Sequence, residues 1–224
     1  MNRFLALGAV ALVGASAQAT LVLHYGFNDP STAANFLAAN TNTVSASLAT
    51  TFALPTFPIS GSSVNGSFHS FTGTIVNDQG VGAGNDIAFV GTNGNGGTVT
   101  LSYNASLLSN QVLKQATRRS STGFNDVDID YSLDGGATWT SVVADFNANT
   151  AGYNDPNSLV TIALPTALDG QANVAIRWTF NGATSAAGNF RTDNITIDAD
   201  VVPEPATMVL LAGAAALAAR RRKA

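Results

Sequence analysis

The sequence predicts an all-β fold, an antiparallel β-sandwich of jelly-roll type, and three observations carry that prediction. Apolar and polar residues alternate in many short runs, which is the period of a half-buried strand. Clusters rich in Gly, Asn, Asp and Pro, such as 93–97 and 154–157, separate those runs as turns do. Helical periodicity is scarce throughout the middle of the chain. Short strands without helical partners must bury their apolar faces against one another, and two packed antiparallel sheets satisfy that need. No internal repeat of useful length is visible, which disfavours a propeller or a solenoid.

Taken in order, strands are expected at 21–27, 73–76, 86–90, 98–103, 126–131, 138–146, 158–164, 173–180 and 194–198. Around His69, aromatics at Phe68 and Phe71 also suggest strand. The clearest case is 126–131, where Val127, Ile129 and Tyr131 share one face and Asp126, Asp128 and Asp130 the other. Val174, Ile176 and Trp178 fall on one side of 173–180 in the same way, and Ile195 and Ile197 on one side of 194–198. One short helix is expected over 31–37, capped by Ser31.

The two ends of the chain differ from this middle. Arg3, an apolar run over 4–15 and the small residues Ala17 and Ala19 have the layout of a secretory signal peptide, with cleavage expected before Thr20. At the other end Val202-Pro203-Glu204-Pro205 precedes fourteen mostly apolar residues, 206–219, and then Arg220, Arg221, Arg222 and Lys223. The two prolines hold their segment extended, a form suited to a peptide-reading cleft. The basic cluster favours the cytoplasmic side, so the apolar segment is expected to insert transiently in the membrane with Pro-Glu-Pro outside. The domains are therefore 1–19, 20–200 and 201–224.

This order of parts resembles the PEP-CTERM sorting signal of Gram-negative bacteria. The resemblance implies that an exosortase, a membrane-embedded cysteine protease-transpeptidase, acts on the tail after signal peptidase has acted on the other end. It also implies an exported protein of the cell envelope surface or extracellular matrix, structural or adhesive within an exopolysaccharide or biofilm. Glu204 is the only glutamate in the sequence and stands inside the motif.

Between the ends, thirteen aspartates stand against five basic side chains, a formal charge of −8 (five minus thirteen). Such an acidic domain disfavours nucleic acid as a partner. The chain has no cysteine, which excludes disulfides and thiolate chemistry. Catalysis finds little support, because a glycosidase normally needs two carboxylates with one tuned as the acid, and no glutamate remains once the tail is gone. With only His24 and His69, a zinc site of histidines would be thin. The expectation is a non-enzyme, with a carbohydrate-binding module for exopolysaccharide as the alternative and a glycan-degrading enzyme as a distant third.

Within the domain, Ser132, Asp134, Gly136, Thr138 and Trp139 match the Asp-box pattern, read as a structural β-hairpin. Asp134 is expected to accept N–H groups across the turn, and Trp139 to pack beneath it on the apolar side. Tyr153, in a loop, is the candidate platform for a sugar ring. Arg118 and Arg119 are the basic pair that could meet an acidic glycan or simply pair with nearby aspartates. From 113 to 200 the order of motifs looks like PEP-CTERM ectodomains with a jelly-roll sandwich. The run Arg191-Thr192-Asp193-Asn194-Ile195 is similar to final strands of carbohydrate-binding modules and of laminin-G-like or MAM-like domains. That similarity implies a candidate structural calcium, held by Asp193 with Asn28 or Asp29.

Overall fold

The computed structural model of the chain describes residues 19–29, 31–52, 68–70, 77, 79 and 85–202. In chain order the strands are β1 (Thr20–Tyr25), β2 (Thr41–Asn42), β3 (Ser47–Thr50), β4 (Phe68–Ser70), β5 (Asn85–Val90), β6 (Gly97–Tyr103), β7 (Leu108–Arg119), β8 (Asp126–Ser132), β9 (Thr140–Phe146), β10 (Leu159–Ala163), β11 (Val174–Asn181) and β12 (Asn189–Val201). One helical turn, α1 (Ala33–Phe36), follows β1. The strand expected over 73–76 and the signal and tail helices lie outside the described residues. No helix among the described residues is long and apolar enough to cross a membrane.

The strands form two antiparallel sheets. A seven-stranded sheet runs β10-β7-β12-β1-β2, and β5, which carries β4, also pairs with β12. Because β7 occupies one edge of β12 along most of its length, β5 and β1 share the other edge end to end. A five-stranded sheet runs β3-β6-β11-β8-β9. The alternation in the sequence sets which face each sheet buries: Val174, Ile176, Trp178 and Phe180 of β11 are each at most 2% exposed, while Arg177 and Thr179 between them are half-buried.

Strands β2, β3 and β7 are not expected from the sequence, and two further elements depart from the expected reading for local physical reasons. In β12, Phe190 and Thr192 face inward, and so do Ile195 and Ile197, which simple alternation forbids. Asn194 takes φ of 47° and the register with β7 shifts between Asp193 and Thr196, so a bulge changes the phase of the strand. The helix cap is Thr32 and not Ser31. The Asn35 N–H donates to Thr32 Oγ1 at 3.1 Å, while the Ser31 hydroxyl donates to Asp29.

Phenylalanines from both sheets close one end of the core. The Phe180 ring lies 4.5 Å from Phe89 and 5.2 Å from Phe190 between centroids, with Phe124 and Phe52 at 5.8 and 5.6 Å. Above them two loops meet at glycines. A Cβ on Gly123 would stand 1.9 Å from the carbonyl oxygen of Asn189, and one on Gly188 would stand 2.1 Å from that of Thr122. Neither neighbour is a side chain that can rotate away. Gly123→Ala is therefore expected to cost about 1–3 kcal/mol through backbone displacement, measured by urea unfolding. A neutral result would mean that the two loops can separate freely.

Candidate functional site

The Asp-box residues form the hairpin that joins β8 to β9. The Ser132 hydroxyl donates to Asp134 Oδ1 at 2.7 Å and accepts the Gly136 N–H at 2.8 Å. Asp134 in turn accepts the Thr138 N–H at 2.9 Å and the Thr138 hydroxyl at 2.7 Å. These bonds, that of the Thr138 side chain first, hold the Asp134 carboxyl well below the usual carboxylate range. Gly136, at φ of 102°, supplies the left-handed turn. Trp139 departs from expectation, since it is not in the core. It is half-buried on the outer face of the five-stranded sheet, with the Arg177 guanidinium 4.2 Å over its ring. Arg177 Nη2 also donates to Asp130 Oδ2 at 2.7 Å. An indole, a guanidinium and a carboxylate thus meet on one face.

Further along that face, one oxygen each of Asp126, Asp128 and Asp145 lies within 4.8 Å of the others, the one such acidic group among the described residues. The Asp145 N–H donates to Asp128 Oδ1 at 3.1 Å. Desolvation, then the neighbouring Asp128 and Asp145 charges, raise the Asp126 carboxyl. Three carboxylate oxygens are at most half of what calcium takes. The alternation of acids along 126–130 was the sequence signal for this cluster, and Asp145 joins it only through strand pairing. The residues proposed from sequence for calcium lie on β12 and in the segment that follows β1, the strand paired with β12. Asp29 is exposed and accepts from Ser31 and Asn35. Asp193 is buried on β12, accepting the Asn194 N–H at 2.7 Å. Asn28 is half-buried beside Asp29.

The expected sugar platform is corrected by burial. Tyr153 is 1% exposed, so its ring offers no open face for stacking. It lies under the loop before β10, against the outer face of the seven-stranded sheet, where Arg191 Nε meets Asp86 Oδ2 at 2.6 Å. The Arg191 guanidinium is 5.8 Å from the centre of the Tyr153 ring. Burial pushes the Asp86 carboxyl up to about 6, against the pull of Arg191, Tyr153 and Arg118. Arg118 stands opposite Arg191 in the ladder between β7 and β12. Arg119, the next residue, points the other way and donates to Asn147 Oδ1 at 2.6 Å. The basic pair of the sequence is therefore not one patch. Sequence reasoning missed Asp86 and Arg191 as partners, because nothing local links residues so far apart. His24 is likewise buried, at 3.3 Å from Asn194 Oδ1.

Both ends of the described domain leave from one end of the sandwich. Thr20, where β1 starts, pairs with Ala199, and Val201 pairs with Leu108. The Val202 N–H donates to the Leu107 carbonyl at 2.8 Å, the last contact before Pro203. Ala19 is exposed directly ahead of β1. Ala17, Pro203, Glu204, Pro205, Arg220, Arg221 and Arg222 lie outside the described residues.

The described residues thus form a two-sheet antiparallel β-sandwich, and the chain runs on from its last strand into a sorting tail. Residues 201–223 match the family model of the PEP-CTERM protein-sorting motif. Such a motif implies processing by an exosortase, and PEP-CTERM proteins are exported and surface-sorted. No curated protein matches the chain. Among solved structures it is similar to the CBM22-1–GH10 modules of Clostridium thermocellum endo-1,4-beta-D-xylanase 10B complexed with xylohexaose, at 10% identity and TM-score 0.43, covering 84% of this chain but only 30% of that one. It is also similar to the CBM22-1 xylan-binding domain from Paenibacillus barcinonensis Xyn10C, at 9% identity and TM-score 0.40 over 84% of this chain and all 100% of the other. A third is TmCBM61 in complex with beta-1,4-galactotriose, at 11% identity and TM-score 0.37, covering 68% and 87%. The likeness is one of sandwich architecture, and the sugars bound there belong to those proteins.

Proposed function

We propose that the protein is built for delivery to the envelope surface: a signal segment removed before Thr20, one sandwich of jelly-roll type, and a tail that rests in the membrane until an exosortase acts at Pro203-Glu204-Pro205. The mature domain serves as a structural or adhesive component of an exopolysaccharide matrix and carries out no catalysis. The observation that supports this is the sorting motif beginning at residue 201, where β12 ends. Processing at the prolines would leave every ladder of the sandwich intact. A second reading, specific binding of exopolysaccharide, draws on the outer face where Trp139, Arg177 and Asp130 meet. It calls for saturable, sugar-competed retention on an exopolysaccharide column that Trp139→Ala abolishes.

The deciding experiment is the intact mass of the protein recovered from its native host. A chain that starts at Thr20 and ends between Val202 and Pro205 is the expected result. A chain that still carries 206–224 would make the tail a plain membrane anchor, and the sorting reading would fall.

A further inference from the structure

Five large apolar side chains are exposed among the described residues: Leu107, Leu133, Leu159, Val201 and Val202. Four of them stand at one end of the sandwich. Leu107 precedes β7, whose first residue pairs with Val201, and the Leu107 carbonyl accepts the Val202 N–H. Leu133 follows Ser132, which pairs with Ala175 where β11 begins, and Val174 pairs with Tyr103 at the end of β6. Leu159 alone lies away from this end, opposite Ala116. Between β1, the segment after β2 and the loop before β7 the same end opens into a cleft of about 290 Å³, whose lining includes Leu21, Val22, Val44, Leu107, Leu108 and Val201.

The tail leaves from this end. Three residues separate Val202 from Ala206, where the apolar segment starts, and the four extended steps between them reach at most about 14 Å. While 206–219 sits in a bilayer, the apolar end of the sandwich is held within that distance of lipid. Exposed apolar groups gathered on one surface mark an interaction site. Asp134 adjoins Leu133 in the hairpin, and Asp169 and Asp200 both accept from Asn110 close to Leu107, so carboxylates border this end, which opposes an anionic lipid surface.

We propose that this end of the sandwich is a membrane-facing surface that seats Leu107, Leu133, Val201 and Val202 on zwitterionic lipid before the tail is removed. The proposal rests on the reading of the tail as a membrane segment. Seating the domain would hold the Pro-Glu-Pro segment at a fixed height above the bilayer, where a membrane-embedded protease could reach it.

The chain has no cysteine, so single probes can be introduced cleanly. Full-length Leu107→Cys, Leu159→Cys and Leu211→Cys variants, each carrying an NBD dye, are reconstituted into phosphatidylcholine nanodiscs with and without doxyl-labelled lipid. The expected result is blue-shifted, lipid-quenched emission at 211 and at 107, and water-like, unquenched emission at 159. Quenching at 211 without quenching at 107 would overturn the docking surface and leave the tail reading standing. No quenching at 211 would remove the tail reading and this proposal with it. A blue shift at 107 that doxyl lipid does not quench would point to a protein partner, such as a second copy, and would also overturn it.

Discussion

Replacing Phe180 by alanine is expected to lower the unfolding free energy of the domain by about 3–5 kcal/mol, the range for truncating a fully buried ring. Phe180 is 1% exposed and belongs to β11 of the five-stranded sheet, yet its ring meets Phe89 of β5 and Phe190 of β12 in the other sheet. Its loss removes contacts across the interface between the sheets, and the surrounding rings belong to four separate segments that cannot all collapse together. Urea unfolding monitored by tryptophan fluorescence measures the effect. A companion Phe146→Ala change, at a half-buried ring 6.4 Å from Phe190, should cost clearly less. Equal costs at the two positions would mean that the ring cluster does not clamp the sheets.

Arg191→Ala is expected to destabilise the domain at neutral pH by about 3–5 kcal/mol, because it leaves a buried carboxylate without its opposite charge. Asp86 is 0% exposed and Arg191 8% exposed, so water screens neither. Changing both to apolar residues of similar size should cost far less than the single change, which a double-mutant cycle would show. The same pair gives a pH dependence with a definite sign. Burial raises the folded-state carboxyl from 3.8 to about 6, so between these values the folded chain holds a proton that the unfolded chain releases. The contribution of Asp86 to stability is therefore fully present below about pH 4 and declines as pH rises through 6. Arg191, Arg118, Tyr153 and Asp193 are the charged or titratable groups around the carboxyl and its partners. Asp86→Asn should flatten that segment of the stability curve. An unchanged slope between pH 4 and 6 would place the titrating group elsewhere.

Local pattern along the chain encodes part of this structure. Alternation along 126–131 and 173–180 sets which side chains of β8 and β11 face inward, because a strand has no freedom to present them otherwise. The Asp-box spacing specifies a hairpin through bonds that span four residues or fewer. The sorting tail is legible because its parts lie in order along the chain.

The remaining features arise from packing between distant segments. The strand β7, which joins β10 to β12, escapes the sequence reading because polar Gln115 and Thr117 are buried where apolar residues would mark a strand. The bulge at Asn194 reverses the side-chain phase within β12, and no periodicity argument anticipates such a reversal. Tyr153 reads as an exposed loop aromatic until packing places it over Arg191, and Trp139 reads as a core residue until Arg177 covers it on the outer face. The gathering of Leu107, Leu133, Val201 and Val202 beside the tail also has no local signature. Strand register, which joins residues far apart in the chain, brings them to one end.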